Sequence, residues 1–444
     1  MRTNVGGDIP LSGIVLNGER ISGSDLCNRF NDYLVNITQC NRLTSCSGAD
    51  ACSYVPSNIM DSLFFFPVTE AEVCTAFQNL RNSKARHFED MQVKPIKFVI
   101  DLLAPSLAHI YNLSLSTGVF PSRMKLAKVV VLNKGGDPNV LANYRPISLL
   151  PVFSKGLESI VNSRITAFLS KHNSITDLQF GFRKNRSTEI ALLYQKELII
   201  SNIENKIYTL GIYIDFTKAF DFLDHSVLIG KLEKYGIRGT SLEFFRSYLS
   251  ARKQYVSISG YRSSELSILS GVPQGSILGP ILFNIYISDI VNTSPAPKFC
   301  MYADDTSLFV SGAPVGQVAR QANSALIAVS QWAKRNGLTI NTNKTKVILY
   351  RPKNKPVNYF PDILLGHQRI ELVKSVKVFG VYFSDNLSWE RHILYVKSKV
   401  AEPTGIMNRL RFVLPLRAKV LIYNSLSVTL LSFGLGHCKS GEFG

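Results

Sequence analysis

The chain has 444 residues, 45% of them apolar, which is room for two to three domains with sizeable cores and excludes a globally disordered protein. Lys and Arg outnumber Asp and Glu by 50 to 32, and the resulting charge of +18 favours a polyanionic partner, either nucleic acid or an acidic membrane surface. Seven cysteines, an odd number with no CxxC pair, speak against a disulfide framework and for a reducing compartment.

Residues 1 to 62 are rich in Ser, Asn and Cys, with weak periodicity, and read as an irregular extension. No apolar run follows MRTNVGGDIP, so no signal peptide is expected. Cys27, Cys40, Cys46 and Cys52 cluster here, but their spacing fits no known zinc ribbon or knuckle. Thr69 and Glu72 form a capping box ahead of Val73, Ala76, Phe77 and Leu80, which recur at helical spacing. A second helical stretch runs from Pro95 to Thr117, with a break expected at Pro105 and a stop at Gly118. AKVVVL (127–132) is a β-branched strand, and NKGGDP after it is a turn.

Further along, 187–204 reads as a helix and 210–216 as a short apolar strand finishing on Asp215. Residues 299–310 are two apolar runs around Asp304 and Asp305, which predicts a hairpin. An amphipathic helix is expected over 323–336 with Gly337 as its stop, and 373–383 is β-rich. The apolar stretch 420–435 is short for a membrane span and reads as a buried or amphipathic helix. Strands and helices mix without strict βαβ alternation, so the expected fold class is α+β.

Three constellations carry chemistry. Asp215 ends an apolar strand, where a charge is costly unless it has a partner. Asp304 and Asp305 share a turn between apolar runs, and three converging carboxylates would make an oxygen-rich pocket suited to Mg²⁺. Asp is also a common turn former, so this pair alone decides nothing. The second constellation is GVPQGSILGP (271–280), too rich in Gly and Pro for regular structure, where Gly permits close backbone approach to a ligand and Gln274 both donates and accepts. The third is the basic set Lys134, Arg145, Arg183, Lys184 and Arg186, in which loop arginines suit phosphate and Lys184 and Arg186 read as solvated charge. No P-loop or dinucleotide-binding fingerprint is present.

The motifs also come in a telling order: NYRPISLLPVFSK (143–155), QFGFRKNRST (179–188), YIDFTKAFDFLDH (213–225), SGVPQGSILGPILF (270–283), YADDTSLF (302–309), GLTINTNKTK (337–346) and VFGVYFSDNLSW (378–389). This series resembles the reverse transcriptases of non-LTR retrotransposons, especially the jockey-like elements of arthropods, over residues 65 to 400. The resemblance implies a right-hand polymerase of fingers, palm and partial thumb. On it, 1–62 is an extension, 63–208 N-terminal helices and fingers, 209–372 the palm, and 373–444 the primer-grip region and partial thumb.

It further implies that Asp215, Asp304 and Asp305 hold two magnesium ions, with the Phe216 carbonyl as an extra ligand. Phe220 matches the steric gate against a ribose 2′-hydroxyl, and Gln274 the residue beside the incoming nucleotide. Lys134 and Arg145 match the residues that hold the triphosphate, and Lys344 lies in the motif of a candidate proton donor. The implied partners are an RNA template, a DNA primer and deoxynucleoside triphosphates, without a membrane, in the cytoplasm and nucleus as a ribonucleoprotein. The chain is expected to lack the endonuclease domain that precedes the polymerase in complete elements, and to stop within the thumb.

Departures from the family pattern are KARHFEDM (84–91) with His87 and Glu89, Met124 in place of Trp, and a large Phe222. They motivate an alternative, an inactive copy that retains only nucleic-acid binding.

Overall fold

The computed structural model describes residues 13–428, apart from 17, 41–50, 57–58, 84–85, 88, 90, 353, 356 and 358–359. Contacts divide the chain into two units that interleave along the sequence. The first comprises Met1–Thr176, Thr217–Thr293 and Gln331–Thr339, the second Asp177–Phe216, Ser294–Ser330 and Ile340–Gly444. Each mixes helices with a mainly antiparallel sheet, and the fold is α+β.

In the first unit, the β-branched run becomes the strand Leu126–Asn133, buried at alternate positions as a half-covered strand should be. It pairs antiparallel with Tyr144–Leu149 and parallel with Arg252–Ile258. In the same unit the helices Glu70–Asn79, Ile100–Thr117 and Val152–Lys171 bury their apolar faces, the first against the other two. The Glu70–Asn79 helix has half of its capping box: the Thr69 hydroxyl accepts from Glu72 N–H at 3.2 Å. The Glu72 carboxylate turns away to Arg164, 2.8 Å distant, rather than back to the cap. Gly118, with φ of 70°, ends Ile100–Thr117 as expected.

Several expectations need correction. Residues up to 62 are not irregular throughout: Ile14–Leu16 and Glu19–Ile21 form a hairpin, and Gly23–Cys40 is an 18-residue helix. Leu26 and Phe30 of that helix are buried with Val129, Tyr144 and Val256 of the sheet. Their i, i+4 spacing is diluted in the sequence by Asn28 and Arg29 between them. The helical stretch breaks at Val99, between Val93–Phe98 and Ile100–Thr117, and Pro105 stays inside the latter. A proline there removes one helical hydrogen bond, and buried Ala104, Leu107, Ala108 and Tyr111 on either side hold the helix together regardless. The helix expected over 323–336 starts earlier, as Val315–Arg335. Within 420–435, Val420, Leu421, Tyr423 and Leu426 are exposed, so the described part is not a buried helix, and 429–435 lie outside the described residues. Of KARHFEDM, residues 84, 85, 88 and 90 also lie outside them. No described helix is long and apolar enough to cross a membrane.

The second unit is built on a five-stranded sheet in the order Glu371–Leu372, Lys346–Tyr350, Tyr208–Ile214, Asp305–Gly312, Lys298–Tyr302. The central Tyr208–Ile214 is buried at all but one position, as a strand covered on both faces must be. The helix Thr188–Glu204, capped by the Ser187 hydroxyl, brings Ala191, Leu192 and Ile199 into one core with Cys300, Phe309, Ile348 and Tyr350. A hairpin of Ser375–Val378 and Val381–Ser384 adds Val376, Val378, Val381 and Phe383 to that core.

Candidate active site

The central strand delivers Asp215, the first residue past its end. Its main chain is held on both sides: Asn341 N–H donates to the Asp215 carbonyl at 2.8 Å, and Asp215 N–H reaches the Thr345 hydroxyl at 3.4 Å. Phe216 forms an isolated antiparallel bridge with Ile340. On the neighbouring strand Thr306 faces Ile214, and one further step of that register sets Asp305 across from Asp215. Asp305 is joined to Tyr302 by the two-residue turn Ala303–Asp304. The hairpin expected from YADD is therefore present, and its turn holds Ala303 at φ of 57°, a left-handed conformation that costs a residue with a Cβ roughly 1–2 kcal/mol.

Three carboxylates thus crowd one end of the sheet. Desolvation, with the negative charges of Asp304 and Asp215 adding to it, pushes the Asp305 carboxyl up to about 6, although the residue as a whole is exposed. Burial raises Asp215 as well, and the Lys344 ammonium, 4.0 Å from its Oδ2, opposes that. Asp215, Asp305, Lys344, Lys346 and Lys377 line one cleft of about 320 Å³, walled by the hairpin residues Val376, Val378 and Phe379. Among the described residues, no three acidic, His or Cys side chains close into a ready-made ion cage. The donors stand instead as an open group of hard carboxylate oxygens, the type magnesium takes when water completes its octahedron. Like charges held close at the end of one strand pair fit a divalent cation on electrostatic grounds.

The residues matched to nucleotide handling lie in the first unit and are joined there. Arg145 Nε donates to Gln274 Oε1 at 3.4 Å, and Gln274 Nε2 donates to Asp221 Oδ1 at 2.7 Å. Asp221 is half-buried, and burial raises its carboxyl, against the Gln274 hydrogen bond and the charges of Lys218, Lys134 and Arg145. Lys134 sits in the Gly-rich turn, its N–H bonded to the Asn143 carbonyl at 2.8 Å. The Phe220 ring stacks on Phe283, centroids 4.1 Å apart and planes 18° from parallel, and is half-buried. The Gly271–Leu278 segment is irregular, as expected, and leads into the helix Gly279–Ile287, whose Ile281, Leu282 and Phe283 are buried. The close approach at Gly271 is to the chain itself, because a Cβ there would lie 2.6 Å from the Asp221 carbonyl.

Sequence reasoning passed over Asp221 and Lys218. The available signal was a second acid six residues after Asp215, set between Phe220 and Phe222. Arg186, taken as solvated charge, bonds Asp177 at 3.0 Å and lies over the Phe180 ring, while Arg183 bonds the Gln179 carbonyl. Of the departures, Phe222 is buried in the core, and buried His87 accepts from Glu89 N–H at 3.3 Å.

Comparison with known proteins gives these clusters a context. The model of the family described as reverse transcriptase (RNA-dependent DNA polymerase) matches residues 132–383. The chain is 29% identical over 394 residues to the RNA-directed DNA polymerase from mobile element jockey of Drosophila melanogaster, covering 86% of this chain and 42% of that protein. It is 28% identical to the probable RNA-directed DNA polymerase from transposon BS of the same species, over 82% of this chain and 41% of the relative. A putative 115 kDa protein in the type-1 retrotransposable element R1DM, also of Drosophila melanogaster, is 28% identical over 83% of this chain and 37% of its own length. The chain spans about two fifths of the length of these relatives. With the family model matching more than half of its residues, the chain belongs to the reverse transcriptase family.

Proposed function

We propose that this chain is the RNA-directed DNA polymerase of a non-LTR retrotransposon, adding deoxynucleotides to a primer 3′-hydroxyl on an RNA template. The observation that carries the reading is the strand register that brings Asp305 beside Asp215 in a chain of this family. Asp215, Asp304 and Asp305, with the Phe216 carbonyl, are the groups that would hold magnesium. When bound, two such ions would activate the attacking hydroxyl and neutralise the leaving pyrophosphate.

The protein's own groups divide the remaining work. Lys134 and Arg145 take the triphosphate as point charge and planar donor. Gln274 has its amide fixed between Arg145 and Asp221, so its orientation beside the nucleotide is set before binding. Phe220 presents a ring to the sugar. Lys344, 4.0 Å from Asp215, is the candidate proton donor to pyrophosphate. In this scheme 63–208 serves as fingers, 209–372 as palm and 373–444 as primer grip and partial thumb.

The test is primer extension on an RNA template with Mg²⁺. Asp304→Asn should lower the rate by about 100-fold or more, beyond what loss of an outer-shell metal contact costs, with template affinity unchanged. Wild-type protein that binds template and extends no primer would establish the inactive-copy alternative. Substantial activity in folded Asp304→Asn would remove the carboxylate assignment.

A further inference from the structure

No side chain of the QFGFR segment has a role in the scheme above, yet the segment touches the catalytic turn. Gln179 is fully enclosed. Its Oε1 accepts from Ala303 N–H at 3.0 Å and from Gly181 N–H at 2.8 Å, and its Nε2 donates to the Ala303 carbonyl at 3.2 Å. Two backbone N–H groups converge on one end of the amide and a carbonyl on the other, so only this orientation satisfies all three. The main chain reinforces the contact. Gln179 forms a parallel bridge with Met301, with Met301 N–H bonded to the Leu178 carbonyl at 2.9 Å and Phe180 N–H to the Met301 carbonyl at 2.8 Å. Gly181 is the close-approach position: a Cβ there would lie 2.3 Å from Ala303 N. Arg183 and Arg186, both bonded to Asp177, tie the ends of the loop.

Ala303 is also the residue held in the left-handed region, immediately before Asp304. A two-residue turn of this kind ordinarily relies on Gly or Asn, and here a side-chain amide supplies the restraint from outside the hairpin. We propose that Gln179 is a positioning residue: its amide clamps both polar groups of the Ala303 main chain and so aims the Asp304 and Asp305 carboxylates. The proposal deepens the metal-site reading and rests on it.

Without the clamp, the buried polar groups of Ala303 lose their partner and the turn relaxes. A misplacement of reacting groups by about 1 Å costs on the order of 100-fold in rate. The test uses Gln179→Leu and Gln179→Glu in the full chain, with Mn²⁺ binding followed by the electron paramagnetic resonance of the free ion. For folded Gln179→Leu we expect Mn²⁺ affinity to fall about tenfold and kcat about 10- to 100-fold, with KM for the nucleotide nearly unchanged. A protonated carboxylic acid reproduces one donor and one acceptor, whereas the ionised form cannot donate to the Ala303 carbonyl. Mn²⁺ affinity of Gln179→Glu relative to wild type should therefore recover as pH falls. In the wild type, hydrogen exchange at the Ala303 amide should be slow despite its place in a turn.

Should Gln179→Leu not fold, the exchange measurement and the Gln179→Glu ratio decide. Fast exchange at Ala303, a ratio flat with pH, or a folded Gln179→Leu with wild-type Mn²⁺ affinity would each overturn the clamp. Wild-type Mn²⁺ binding left unchanged by Asp304→Asn would instead overturn the carboxylate reading, a distinguishable result.

Discussion

At Phe220 the proposed role in sugar selection stands against a role in packing alone. One face of its ring is stacked on Phe283, and the residue is half-buried. If the ring lies under the sugar, Phe220→Ala should raise ribonucleotide over deoxyribonucleotide efficiency by about 10- to 100-fold, the range that discrimination of one small group reaches. If it only packs, both efficiencies fall together and the protein loses up to about 3–5 kcal/mol of stability, the usual cost of truncating a buried Phe. The ratio of efficiencies, measured beside a thermal melt, separates the two. Acids set in apolar runs, such as Asp215 and the Asp304–Asp305 pair, are legible in the sequence because their cost demands a purpose. Asp221 and Gln179 were not, because their partners lie 53 and 124 residues away.

At the scale of elements, an antiparallel register decides the electrostatics: Asp305 cannot start its strand without standing next to Asp215. The raised carboxyl of Asp305 means that the folded, ion-free protein holds that proton more tightly than the unfolded chain does. Its contribution to stability is therefore present at low pH and is lost as pH rises from 3.8 through about 6. In EDTA, the melting temperature of wild type relative to Asp305→Asn should fall across that window, and Mg²⁺ should flatten or reverse the trend. A difference that is constant with pH would mean that the Asp305 carboxyl is not raised in the folded protein. Most elements of this unit were legible from the residues, because strands closing on charges and helices closed by caps and Gly have local causes. Where reading failed, at Pro105 and in Gly23–Cys40, burial against distant strands or helices outweighed the local signal.

For the molecule as a whole, the +18 charge has to be given a task, and its distribution suggests one. In the second unit Lys344, Lys346 and Lys377 line the cleft that holds the carboxylates, and exposed Arg391 lies over Tyr382. Lys377 rests 4.1 Å from the centre of the Tyr395 ring, with its ammonium bonded to the Tyr395 hydroxyl at 2.9 Å, an ordered cation on a half-open aromatic face. Lys346 differs, since Glu371 already neutralises it at 2.5 Å. Binding of a primer–template should weaken steeply with salt, since each phosphate contact releases counterions and contributes about −0.7 to −0.9 to the log–log slope. Lys377→Ala should then flatten the slope by roughly one such contact, whereas Lys346→Ala should leave it nearly unchanged. Fluorescence anisotropy of a labelled duplex, titrated between about 50 and 200 mM salt, makes the comparison. A wild-type slope near zero would assign the excess charge to something other than phosphate. Equal flattening by the two variants would show that charge near the cleft acts only through its total, without the ordering that the aromatic rings impose.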